Sequence, residues 1–294
     1  MLKALFSKKR SNEKGGLKNA DNDKKTSYQE NGYYILRGLF NRDKIKRLQK
    51  AVNAVHDSKG EVFLRHDETE KTNEEFPKGL ENDKRSGLLR FHTLTEGIGG
   101  ELADAFNDLF CQKTMFNALN QFFDADKYTL HQTILFFTSP LTNLHPDLVS
   151  LDTTPSGSSF TCWMALDQID DTNGGVFIAP NPVGKRDEEM INSSKDMGDY
   201  VKKYKDDLYA KKQDLTIPVL SPGDVVLFAP TTPHGSLNPK HNSRRRGFQI
   251  LVRITKVSQW GQYKDTSTRH DTEKEEVKLT SYFNTLKKSG SADY

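Results

Sequence analysis

The sequence predicts a mainly β fold, a sandwich or barrel of short strands with helices on its N-terminal side. Three observations lead there. From Tyr128 onward, apolar runs of strand length recur: TLHQTILFFTS, FTCWMALDQI, VFIAP, VVLFAP and GFQILVRIT. Turn signals punctuate them, DDTNGG before the third and SPGD before the fourth. Upstream of Tyr128, the apolar residues fall at helical spacing instead. Short strands at turn-punctuated intervals are the pattern of sandwiches and barrels.

The elements follow in order. Residues 1–26 hold eight Lys/Arg and three acids, and read as a disordered basic arm. YQENGYYILRGLF has a glycine turn and then an apolar run, which predicts a short strand. Asn41 is a helix cap for residues 42–56, where Ile45, Leu48, Ala51, Val52 and Val55 share one face. Residues 58–90 are polar and irregular, and 99–123 form a second helical region. The strands occupy the stretch from Tyr128 to about Thr255, interrupted by a charged helical insertion at about 185–213. Residues 259–294 are polar and expected to be peripheral. One domain over 27–258 accommodates all of this, with the arm before it and the polar segment after it.

Composition removes several classes. With 34% hydrophobic and 28% charged residues, the 294-residue chain is neither collagen-like, nor a coiled coil, nor wholly disordered. No run approaches the roughly 18 apolar residues of a membrane span, so no integral membrane segment is expected. The net charge of +3 splits into +5 on the arm and −2 on the rest, so the body is not expected to bind nucleic acid. Two cysteines, Cys111 and Cys162, are no disulfide framework and suggest a reducing compartment. MLKALFSKKR lacks the apolar core of a secretory signal, so a cytoplasmic protein is expected, with an organellar address left open.

The chemistry sits in the β region. His145 and Asp147 form an H-x-D unit in NLHPDL, and on an extended segment residues i and i+2 point to one side. His234, in TPHGS, follows the run VVLFAP. Two imidazoles and one carboxylate on one face of an ion leave the opposite positions open, as in non-haem Fe(II) oxygenases. Arg244, Arg245 and Arg246 then open the last strand, where a guanidinium can grip a carboxylate with two parallel hydrogen bonds. Arg90 and His92, in LLRFHTL, share a face if extended and could meet an acidic substrate. Cys162 alternates with Trp163 and is expected to pack on the outer side of its strand.

With these residues in place, the chain resembles the phytanoyl-CoA dioxygenase family of Fe(II)/2-oxoglutarate oxygenases over roughly residues 28–256. Four blocks carry the resemblance: ENGYYILRGLFNRDKIKRLQKAV, the H-x-D segment, FTCWMALDQIDDTNGGVFIAP and SPGDVVLFAPTTPHGSLNP. It implies a double-stranded β-helix, a cupin-like jelly-roll with flanking helices. It also implies that His145, Asp147 and His234 bind iron and that Arg245 anchors the far carboxylate of 2-oxoglutarate, with Ser236 as helper. Trp163 matches a position near the co-substrate, and Gln132 or Thr133 would face the same cavity. The register of the three arginines is open by one. PNPVGKR departs from the family's usual G-S-H near the substrate mouth, whereas the retained Asp147 argues against halogenation.

The implied cofactors are Fe(II), 2-oxoglutarate and dioxygen (O2). The implied reaction is oxidation of an unactivated C–H bond in a small, carboxylated metabolite. Hydroxylation is the default; desaturation or oxidative ring closure of the kainoid-synthase kind, in natural-product biosynthesis, needs only a different fate for the same substrate radical. Two other classes compete: a protein or peptide hydroxylase, which needs an open groove, and a non-catalytic binding module on the same barrel.

Overall fold

The computed structural model describes residues 20–58, 87–89, 91–94, 96–125, 128–137, 139, 142–147, 159–184, 199, 202–204, 206–207, 214–239, 247–256, 269–270 and 279–282. Its N-terminal part is helical. Helix α1 (Ala20–Asn31) leads into strand β1 (Tyr33–Leu36), and α2 (Arg42–Asp57) follows. The short strand forms after the Gly32 turn as expected, whereas residues 20–26, expected in the basic arm, belong to α1. Asn41 caps α2 as expected, its side chain accepting from the amides of Asp43 and Lys44, and the buried face is Ile45, Leu48, Ala51, Val52 and Val55.

Strand β2 (Gly87–Leu89) and a 3-10 turn (Phe91–Thr93) precede α3 (Gly97–Phe110) and α4 (Lys113–Asn120). The strands β3 (Tyr128–Phe136), β4 (Ser159–Ala165), β5 (Val176–Ile178), β6 (Val225–Phe228), β7 (His234–Ser236) and β8 (Gln249–Lys256) build the barrel. The short β9 (Arg269–His270) and β10 (Leu279–Tyr282) come from the polar C-terminal segment. The larger sheet runs β1-β6-β4-β8-β3-β10-β9, with β2 also on β3, and the smaller sheet pairs β5 with β7. Every pairing but that of β10 with β3 is antiparallel. This is the jelly-roll expected from the sequence. Most of the 185–213 insertion lies outside the described residues; Lys202–Tyr204 within it are helical.

The larger sheet separates two cores. Its outer face packs on the helices through Leu48, Val52, Phe106, Leu109, Leu119, Cys162, Val225, Leu227, Ile250, Val252 and others. Its inner face carries Phe136, Trp163, Ala165, Val226, Phe228 and Leu251, which meet Val176 and Ile178 of the smaller sheet. Strands buried on both faces read as unbroken apolar runs, which is why WMA and VVLF lack a polar alternation. Cys162 packs outward and Trp163 inward, as their alternation requires.

The register arranges the inner face into rows. Gln132, Arg253, Thr161, Phe228 and Tyr33 lie side by side across β3, β8, β4, β6 and β1. The next row is Ile134, Leu251, Trp163, Val226 and Ile35. Phe136, Gln249 and Ala165 form a third. The first row is polar at its centre and the second is wholly apolar apart from the indole N–H. That change of character decides where polar chemistry is housed.

Candidate metal centre and its surroundings

The structure brings His145, Asp147 and His234 together although His234 lies 87 positions after Asp147. The two histidines face one another across an isolated antiparallel bridge. The amide of each donates to the carbonyl of the other, both at 2.9 Å. Asp147 is then two residues from His145 on the same side. One ligand atom from each residue lies within 4.8 Å of the others.

The imidazoles are held from behind. His145 Nδ1 donates to the Asn143 carbonyl at 2.7 Å, and His234 Nδ1 donates to the Thr232 carbonyl at 3.0 Å. A carbonyl only accepts, so both Nδ1 atoms carry the hydrogen and each Nε2 presents a lone pair. Both Nε2 atoms stand 3.9 Å from the same oxygen, Asp147 Oδ1. Backbone acceptors behind ligating histidines fix ring orientation in this way at metal sites. Two nitrogen lone pairs and a carboxylate oxygen converging on one point are the donor set that Fe(II) takes, so the residues present fit that ion.

The loop that delivers His234 is itself pinned. Gly32, at the end of α1, adopts φ +75, and a Cβ there would sit 2.1 Å from the Asn181 carbonyl. Its carbonyl accepts from the Ala229 amide at 2.9 Å and from Thr232 Oγ1 at 2.7 Å. Thr232 then supplies the carbonyl that orients His234. The ring of Phe228 packs at 4.2 Å from the His234 ring.

Asp147 is 2% exposed, and both of its oxygens are engaged. Thr161 Oγ1 donates to Oδ2 at 2.8 Å, and Arg253 Nη2 donates to Oδ1 at 3.2 Å. Burial opposes ionisation, but Arg253, His234 and His145 together outweigh it and hold the carboxyl well below its usual range. Burial pushes the His234 imidazole down to about 4, against the pull of Asp147, so that ring is neutral at pH 7.

Arg253, the central member of the first row, was not foreseen. Its Nη1 donates to Gln132 Oε1, and its Nε–H is buried without an acceptor. The signal was in GFQILVRIT: Gln249, Leu251, Arg253 and Thr255 fall on one face by simple alternation. The three consecutive arginines drew attention away from it. Arg244, Arg245 and Arg246 lie outside the described residues, as does Arg90.

The other expected site residues divide. Gln132 faces the inner cavity and reaches Arg253. Ser236 is two residues past His234 on the same strand face; its Oγ accepts from the Thr142 amide at 2.9 Å. Trp163 faces inward one row deeper than Thr161, stacks on Phe136 at 5.7 Å and donates its indole N–H to Gln249 Oε1 at 2.7 Å. Thr133 and His92 need correction. Thr133 Oγ1 bonds His92 Nδ1 at 2.7 Å, and both are fully buried between the larger sheet and the helices. Neither faces the cavity, so Thr133 is no co-substrate contact and His92 no substrate contact. The cause is a break in the β3 register between Leu130 and Gln132. The extra residue turns Gln132 inward and Thr133 outward.

Among the described residues, no helix is long and apolar enough to cross a membrane.

Comparisons with known proteins agree with this geometry. The fold matches EctD from S. alaskensis, solved with 2-oxoglutarate and 5-hydroxyectoine, with a TM-score of 0.58, 16% identity, and coverage of 87% of this chain and 86% of that one. It also matches AviO1 from Streptomyces viridochromogenes (TM-score 0.55, 16% identity, 83% and 98% covered). A third match is SnoK, a non-heme alpha ketoglutarate dependent carbocyclase from nogalamycin biosynthesis (0.54, 14% identity, 82% and 88% covered). At such identities the likeness is one of fold, the double-stranded β-helix. None of the curated protein sequences compared with the chain matches it. The sequence model of the Phytanoyl-CoA dioxygenase (PhyH) family matches residues 28–247, a stretch that contains His145, Asp147 and His234. The chain therefore belongs to the phytanoyl-CoA dioxygenase family and is a non-haem iron, 2-oxoglutarate-dependent oxygenase.

Proposed function

We propose that this oxygenase oxidises an unactivated C–H bond of a small, carboxylated metabolite. Hydroxylation is the default outcome, with desaturation or oxidative ring closure as variants. One observation carries the reading: two Nε2 lone pairs and Asp147 Oδ1 converge within 4.8 Å, with each Nδ1 tied to a backbone carbonyl.

His145, Asp147 and His234 would hold Fe(II) through those atoms. The pair of Fe(II) and 2-oxoglutarate supplies, with dioxygen, an oxidant strong enough for an aliphatic C–H bond, leaving succinate and carbon dioxide. The chain's own residues orient and shield. Thr161 holds Asp147 Oδ2, so Oδ1 faces the two imidazoles. Trp163, Leu251 and Val226 close the interior beyond the first row and keep it dry. Ser236 and Arg245 are the proposed anchors of the far carboxylate of 2-oxoglutarate, with Gln132 and Trp163 lining its space.

The small-molecule substrate class has support from related folds. The EctD structure contains the small molecule 5-hydroxyectoine and SnoK is a carbocyclase, so this fold houses small molecules and admits ring closure.

The test is anaerobic titration of Fe(II)-loaded protein with 2-oxoglutarate, watching the weak visible charge-transfer absorption. The expected band disappears in His145→Ala. Folded, iron-loaded protein that shows no band contradicts the reading. Screening acidic metabolites for stimulated succinate release then identifies the substrate.

A further inference from the structure

Arg253 occupies a position that the oxygenase reaction alone does not explain. Its Nη2 donates to Asp147 Oδ1, the same oxygen that stands 3.9 Å from both imidazole Nε2 atoms. The atom offered to the metal is therefore also the atom held by a buried cation. Arg253 is 6% exposed and Asp147 2%, so solvent screens neither charge well. Without metal the pair is neutral. A divalent ion among these groups raises the local charge to +2, because the guanidinium does not lose its proton. A buried double positive charge needs an anion. Meanwhile one edge of the guanidinium is uncommitted: Nε–H is buried and has no acceptor, and Nη2 beside it is held only by the oxygen that metal would claim.

We propose that Arg253 makes metal binding and 2-oxo acid binding interdependent. It opposes the divalent ion when the ion enters alone. It then receives, along its Nε/Nη2 edge, the carboxylate of the 2-oxo acid that lies against the metal. Gln132 holds Nη1 and keeps the guanidinium plane fixed for that exchange. The distal carboxylate is not the partner, because Arg253 touches the metal ligand itself. The inference rests on the proposed metal site, and its test separates the two.

The experiment uses redox-inert Mn(II) on the full chain, with its dissociation constant measured by electron paramagnetic resonance. Measurements are made alone, with saturating 2-oxoglutarate, and with 2-oxovalerate, which lacks the distal carboxylate. Wild-type protein that binds Mn(II) no better than His145→Ala defeats the metal site itself. If the site holds, the proposal concerns R253Q. Mn(II) alone should bind about threefold tighter or more, and the tightening produced by 2-oxovalerate should fall at least about tenfold, within the usual range of coupling between sites. R253K keeps the charge but lacks the planar fork. It should still oppose Mn(II) alone and lose much of the tightening. Unchanged or weaker Mn(II) binding in R253Q overturns the proposal. So does undiminished tightening by 2-oxovalerate in either variant. If R253Q does not fold, judged by circular dichroism, the R253K tightening decides alone.

Discussion

Thr161 makes the sharpest test of how the metal ligands are positioned. Its Oγ1 donates to Asp147 Oδ2 at 2.8 Å, with both residues buried. Thr161→Val keeps the branched shape and removes only that donor, leaving a buried carboxylate oxygen unpaired. A hydrogen bond to a charged group contributes roughly 1.5–3 kcal/mol. That energy is lost from the metal-free protein as well, so it does not convert directly into metal affinity. The affinity falls because the carboxylate is free to turn, and losing an outer-shell partner of a metal ligand raises the dissociation constant about 10- to 100-fold. The assay is Mn(II) binding at pH 7.5, with metal-free stability measured in parallel by urea unfolding. Stability should fall by about 2 kcal/mol, since the same bond is lost without metal. Thr161→Ser should restore most of both. A Thr161→Val protein within twofold of wild type in metal affinity refutes the claim that Thr161 fixes the Asp147 carboxylate.

Four further outcomes are expected. Replacing any one of His145, Asp147 or His234 by alanine should reduce bound iron and 2-oxoglutarate decarboxylation to background, read by iron assay and succinate release. Metal-free protein should lose stability on acidification, because His234 is neutral when folded and its pKa lies at about 4 instead of the usual 6.5. Unfolded chains take up that proton between pH 6.5 and 4, so stability is full above pH 6.5 and falls by on the order of 3 kcal/mol through that window. Asp147, also depressed, adds to the loss further into acid; a flat melting temperature from pH 7 to 4.5 would count against the buried neutral state of His234. Gly235→Ala would place a Cβ 2.7 Å from the Thr142 carbonyl and 2.5 Å from the Phe177 ring. Backbone at that point must shift, so metal affinity should drop along with melting temperature. Trp163→Phe removes the donor to Gln249 and should cost about 1–3 kcal/mol in urea unfolding, with Mn(II) affinity nearly unchanged.

The strands and the metal ligands were legible because their signals are local. FTCWMALDQI, VVLFAP and GFQILVRIT became β4, β6 and β8, and the α2 face formed as its spacing required. His145, Asp147 and His234 were found from residue type and order alone. Residues whose role depends on register were not. Thr133 was misjudged because one extra residue between Leu130 and Gln132 reverses the alternation of β3. Thr161 and Arg253 were missed because their meaning lies in a row across three strands, Gln132, Arg253 and Thr161, that are far apart in sequence. Arg253 adds a second difficulty. Its neighbours on the strand, Val252 and Ile254, are apolar core, so it reads as an interruption until the inner face is assembled.

The paired amides and carbonyls of His145 and His234 have a consequence for how such a protein can diversify. The spacing of the two imidazoles is set by backbone hydrogen bonding, not by the length of chain between them. Segments between these residues can lengthen, shorten or change sequence without moving either ring, provided the bridge closes. Loop closure grows only slowly more costly with length. Substrate-facing loops are thus free to drift under selection for new molecules, while the oxidising centre is inherited unaltered.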